Sequence, residues 1–123
     1  MKLQRSQADG SNRFTAYGEG YVSVNAIRHT ANLLVLPDRL IPAWTPANFS
    51  SLTVADFERL AALDAGILLL GTGNHLRFPR QALLEPLIRA NKGLEVMDLP
   101  AACRTFNLLA SEGRSVAAAI LFS

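Results

Sequence analysis

In 123 residues the chain has one cysteine, one tryptophan and two histidines, and these scarcities remove several kinds of chemistry at once. Cys103 has no second cysteine to form an internal disulfide, a zinc ribbon or a Cys-x-x-Cys redox pair. His29 and His75 lie far apart, with no His/Asp/Glu cluster at ligand spacing, so neither a structural metal nor a cofactor is expected. No Ser-His-Asp set can be assembled, and neither histidine has a sequence-local carboxylate to orient it as a base. Long hydrophobic runs are missing as well. The longest, such as Val116 to Phe122, have the length of a strand and fall far short of the ~20 residues of a membrane span. Met1 to Arg13 lacks the apolar stretch of a secretory signal, and the expected location is the cytoplasm. Lysine is scarce too: ten of the twelve basic residues are arginines, scattered without a Lys/Arg run and with little aromatic interleaving. A net charge of +2 and a pI near 9.1 therefore suit a mixed solvated surface, and no nucleic-acid partner is expected.

Half of the residues are hydrophobic and 18% are charged, which suits a packed domain. A chain of this length buries about two-thirds of its unfolded surface, enough for one core and too little for two. The organising stretch is Ala65 to Pro79. Ile67 to Leu70 form an apolar run without polar alternation, the mark of a strand buried on both faces, and Gly71-Thr72-Gly73 then turns the backbone sharply. In an open α/β sheet, ligands bind at this carboxyl end of a strand.

Residues 1–12 read as a flexible polar lead-in and residues 13–123 as a single domain. Phe14 to Tyr17 and Tyr21 to Val24 have strand composition around Gly18-Glu19-Gly20, as a hairpin or a bulged strand. Ile27 to His29 and Asn32 to Leu36 are further strands, the latter stopped by Pro37-Asp38. Leu40 to Trp44 is expected at an edge, because Pro42 removes a ladder donor. Thr53 and Asp56 resemble a capping box for a helix from Val54 to Leu63, which Gly66 is expected to end in the left-handed conformation. A helix over Arg80 to Asn91 is expected to kink at Pro86, its other reading being a helix that starts there. Leu94 to Met97 is a strand, Ala101 to Ser111 a helix with Asp98 as its cap and Gly113 as its stop, and Val116 to Phe122 a last strand. Strands followed by βαβαβ give a mixed α/β sheet with helices packed on it.

The candidate site lies at Gly71, Thr72, Gly73, Asn74, His75 and Arg77, with Asp98, Cys103 and Arg104 from the start of the third helix. The glycines match two positions of a dinucleotide fingerprint and lack the third, and no Gly-Lys-Ser/Thr follows. The pattern reads either as a small-anion cradle of backbone N–H groups and arginines or as a tight turn whose glycines relieve strain. Cys103 reads either as a thiolate favoured by the helix N-terminus and Arg104 or as a packed, inert thiol beside Ala101-Ala102.

Taken together, Ile67 to Gly73, Glu95 to Asp98, Ala101 to Asn107 and Glu112 to Ala119 resemble the Mth-domain family, which includes an adipogenesis-associated protein and a mitochondrial respiratory complex I assembly factor. The resemblance runs from about Arg13 to Ser123, and Trp44 matches a tryptophan that many members carry. It implies a single three-layer α/β domain with a mixed central sheet, and it brings no established catalytic residues. Leu99-Pro100 departs from the family, which usually has a threonine there, so the chain lacks that hydroxyl. The expected function is that of a non-catalytic accessory or assembly-type protein acting on a protein partner. The alternative is a small-anion binder or weak enzyme at the Gly71-Thr72-Gly73 loop and Cys103. The partner and the oligomeric state are left open.

Overall fold

The computed structural model describes residues 11–123, so most of the polar lead-in lies outside the described residues. Asn12 is fixed: its backbone N–H donates to the Pro37 carbonyl at 2.8 Å and its side chain to the Leu36 carbonyl at 2.8 Å.

The first three strands, β1 (Phe14–Gly18), β2 (Tyr21–Val24) and β3 (Ile27–His29), form a small antiparallel meander of their own. A register shift between Phe14 and Ala16 bulges β1, so the hairpin and the bulge are both present. Asn25 and Ala26 turn β2 into β3 with φ of 51° and 69°, the paired left-handed geometry of a two-residue hairpin. Side chains hold this turn. Asn25 Oδ1 accepts from the Arg13 N–H at 3.0 Å, and Thr15 Oγ1 from the Ala26 N–H at 2.9 Å.

The remaining strands are β4 (Leu33–Leu36), β5 (Arg39–Pro42), β6 (Ile67–Gly71), β7 (Leu94–Met97) and β8 (Val116–Ile120). They form a mixed sheet in the order β5-β4-β8-β6-β7, in which β4 runs antiparallel to β5 and β8, and β6 runs parallel to β7 and β8. The helices are α1 (Val54–Ala61), α2 (Glu85–Arg89) and α3 (Leu99–Ser111). Side chains alternate across each strand, so Leu69 enters one core layer while Leu68 and Leu70 enter the other. The first layer, under α3 and the meander, centres on Phe14, Phe106 and Ile120; the second, under α1 and α2, centres on Trp44, Phe57, Leu60 and Leu87. The expected single α/β domain with a mixed sheet is therefore the architecture of the chain.

The expected burial of Ile67 to Leu70 holds from Leu68 on, with β6 between β8 and β7, while β8 is the middle strand and is buried at all five positions. Three local expectations need correction. Gly66 is not left-handed; α1 ends at Ala61, and the Gly66 N–H instead donates to the Ser115 carbonyl at 3.1 Å. No kinked helix spans Pro86. A 3-10 turn over Gln81–Leu84 gives way to α2 at Glu85, which places the proline where its missing N–H costs nothing. Trp44 lies outside any strand, because Ala43 turns the chain with φ of 51°; the indole is buried and its Nε1–H donates to the Ile120 carbonyl at 3.2 Å.

Candidate functional site

At the end of β6, Gly71 is a place of close approach. A Cβ there would stand 3.0 Å from Ala102 Cβ and 3.1 Å from Ile120 Cδ1, so the glycine lets α3 close onto the sheet. Gly73 has φ of 83°, and its carbonyl accepts the Leu99 N–H at 2.8 Å, joining the loop to the start of α3. Thr72 is fully buried and ties the loop to itself. Its N–H donates to the Met97 carbonyl at 2.9 Å, its hydroxyl donates to the His75 carbonyl at 2.6 Å, and that same hydroxyl accepts the Arg77 N–H at 3.2 Å. Arg77 then folds back: Nη2 donates to the Thr72 carbonyl at 2.8 Å, and the guanidinium lies 4.6 Å from the centre of the Phe49 ring.

The first turn of α3 has its donors engaged. The Leu99 N–H is on Gly73, Pro100 has none, the Ala101 N–H is capped by the Asp98 carboxylate at 3.0 Å, and the Ala102 N–H bonds the Asp98 carbonyl at 3.0 Å. Asp98 thus supplies negative charge where the helix dipole favours it.

The other two candidates go elsewhere. Cys103 is fully buried in the layer of Phe14, Leu69 and Phe106; burial pushes its thiol up to about 12, against the smaller downward pull of the Arg104 charge. Arg104 is exposed and its Nη1 donates to the Tyr17 hydroxyl at 3.0 Å, toward the meander. The fold thus brings Gly71, Thr72, Gly73, Arg77 and Asp98 together, leaves Asn74 and His75 exposed on the loop, and turns Cys103 and Arg104 to another layer. Among the described residues, no group of three or more His, Cys, Asp or Glu side chains could hold a metal ion.

Beside Asn74 and His75 the loop also presents apolar side chains outward. Leu76 is 54% exposed and Phe78 69%, two residues that sequence reasoning passed over. Their signal was there to read: in His75-Leu76-Arg77-Phe78-Pro79 the apolar residues alternate with polar ones after the glycine turn, in a segment with no strand to bury them. Asn107 was also passed over. From the middle of α3 it accepts the Phe14 N–H at 2.9 Å and donates to the Phe14 carbonyl at 2.8 Å, locking the helix to β1.

Comparison with known proteins places this geometry among relatives. Residues 14–121 match a family described as a protein of unknown function, DUF498/DUF598. The chain is 28% identical over 123 residues to an NADH dehydrogenase (ubiquinone) 1 alpha subcomplex assembly factor 3 of Danio rerio, covering 98% of this chain and 70% of that protein. It is 24% identical over 122 residues to a 13 kDa major membrane protein of Francisella tularensis, covering 98% of this chain and 99% of that one. Among solved structures, a Bordetella pertussis protein described as an Mth938-like domain superposes with a TM-score of 0.78 at 29% identity, over 98% of this chain and 92% of that one.

Proposed function

Because the chain belongs to the DUF498/DUF598 family and has the fold of an Mth-like domain, we propose that it is a non-catalytic accessory protein, an assembly-type factor that acts by holding a protein partner. The relative named as an assembly factor supports the class of role. The observation that carries the reading is the loop after β6, whose Arg77 guanidinium turns inward on Thr72 while Leu76 and Phe78, beside Asn74 and His75, face solvent. A loop built for an anion would aim Arg77 outward. Exposed aromatic residues beside an arginine are the usual anchors of protein interfaces. The small-anion and weak-enzyme reading gains nothing from this geometry, since the first-turn donors of α3 are already bonded and the thiol is buried.

The test is chemical crosslinking of the intact chain in extract of its native cell, followed by mass spectrometry, with Phe78→Ser beside the wild type. A specific protein captured by the wild type should be lost by about tenfold or more in the variant, the signature of an anchor residue. The melting temperature should hold, because surface substitutions usually change stability by about 0.5 kcal/mol or less. Among the described residues no helix is long and apolar enough to cross a membrane. Equal capture by both proteins, or binding to lipid vesicles in place of a protein, would overturn the proposal.

A further inference from the structure

The five-stranded sheet has two edges, and they are built differently. At one, β5 carries Arg39 and Pro42, and a proline and a charged side chain are ordinary means of blunting an edge against further strands. At the other, β7 reads Leu94-Glu95-Val96-Met97 and pairs with β6 alone among the described residues. It has no proline and no register shift, and its one charged residue is Glu95. The nearby Lys92 is turned away, its Nζ donating to the Leu63 carbonyl. Beside this edge, between the sheet and α3, opens a cleft of about 470 Å³ lined chiefly by Ile67, Leu69, Met97 and Leu109, with Thr105 and Glu95 among them. That volume lies within the roughly 300–1,000 Å³ of ligand pockets. Glu95 and Met97 are two residues apart and so share the face of β7 that borders the cleft.

From this juxtaposition we infer that β7 and its cleft form a docking groove for an extended peptide segment of a partner protein, with an apolar and a basic side chain two residues apart. The peptide adds a strand to β7, and its backbone meets the unpaired N–H and C=O groups of that edge. Alternate side chains then fall on the cleft face, an apolar one over Met97 and Leu109 and a basic one against Glu95. Charge selects the occupant. A second copy of this chain paired through β7 would bring a second Glu95 to the same strip, where like charges destabilise strand pairing, whereas a lysine or arginine complements it. The inference rests on the protein-binding reading only for the class of its occupant, and it concerns a surface away from the Leu76 and Phe78 loop.

The test uses the purified chain and a synthetic peptide, acetyl-Thr-Leu-Thr-Arg-Thr-Val-Thr-amide, followed by backbone amide shifts. Saturable shifts are expected over residues 94–97 and 105–109. Replacing the peptide's arginine with glutamate should weaken binding by about fivefold, the combined effect of losing an exposed attraction and adding a repulsion. In the Glu95→Arg variant, which changes an exposed side chain, the glutamate peptide should become the tighter one. Absent or scattered shifts, or a preference that the charge reversal leaves unchanged, would overturn the inference. So would sedimentation as a dimer whose β7 amides are protected before peptide is added. None of these results depends on the extract crosslinking, so either proposal can fail while the other stands.

Discussion

Cys103 sits where two elementary effects oppose each other. A thiol near the start of a helix and next to an arginine feels positive potential that favours the thiolate, here from Arg104. Burial removes the water that a thiolate needs, and here burial wins, carrying the thiol from 9.0 to about 12. Two results follow. Alkylation in native buffer near pH 8 should be slow and should track global unfolding, since the reactive thiolate forms only when the core opens. The second concerns stability. Below pH 9 the thiol is protonated in both states and contributes nothing to the pH dependence. Between pH 9 and 12 the unfolded chain loses its proton while the folded chain keeps it, so stability falls as pH rises, by about 1.4 kcal/mol per unit from this group. Denaturation of wild type and Cys103→Ala at pH 8 and pH 10 isolates that slope, because other titrating groups are common to both. A stability difference between the two proteins that stays constant across that interval would refute the assignment.

At the scale of elements, α3 is the piece through which the layers communicate. It closes onto β6 at Gly71, docks its Asp98-capped start against the Gly73 carbonyl, and grips β1 through Asn107. Asn107→Ala would leave the N–H and C=O of a fully buried Phe14 without that partner. Each buried, unsatisfied group costs about 1–3 kcal/mol, so a loss of about 2–6 kcal/mol is expected in a denaturant titration. Leu108→Ala, one residue along and mostly exposed, should change little. Similar costs for the two variants would mean that the asparagine is not the clamp.

The same helix shows why the sequence was readable in parts. Pro100 and Asp98 mark the start of α3 by local chemistry, and the positive φ of Gly113, 76°, marks its stop. Apolar runs likewise exposed the strands. The rank of the strands was not legible, because Ala117 to Ala119 carry little hydrophobic mass and only the pairing shows that β8 lies between β4 and β6. The loop site was legible as a place and not as a chemistry. Whether Arg77 reaches outward to an anion or inward to Thr72 depends on a carbonyl direction that no residue pattern encodes.

For the whole molecule, the middle of the sheet and the loop after β6 stand at opposite ends of one stability scale. Ala118 lies in register with Val35 of β4 and Leu69 of β6, all three nearly inaccessible, with a core layer on each face of the sheet. Small alanines suit that position, since they let both layers approach a strand flanked on both sides. Their amides can meet water only when the domain opens, so they should exchange with the full unfolding free energy, about 5–15 kcal/mol for a domain. Residues 74–78 are held mainly by Thr72 and Arg77, with Asn74, His75, Leu76 and Phe78 exposed. Their amides should exchange through local opening at a far smaller free energy. That difference bears on function, because a binding loop that orders on contact draws on the least stable part of a scaffold, while the sheet beneath it stays fixed. Hydrogen exchange by mass spectrometry on the free chain should therefore show peptides over 116–120 as the slowest and those over 73–80 among the fastest. Adding a partner captured through Phe78 should slow the loop and leave the sheet unchanged. Slowing centred on 116–120 instead would mean that the partner stabilises the domain as a whole without docking on this loop.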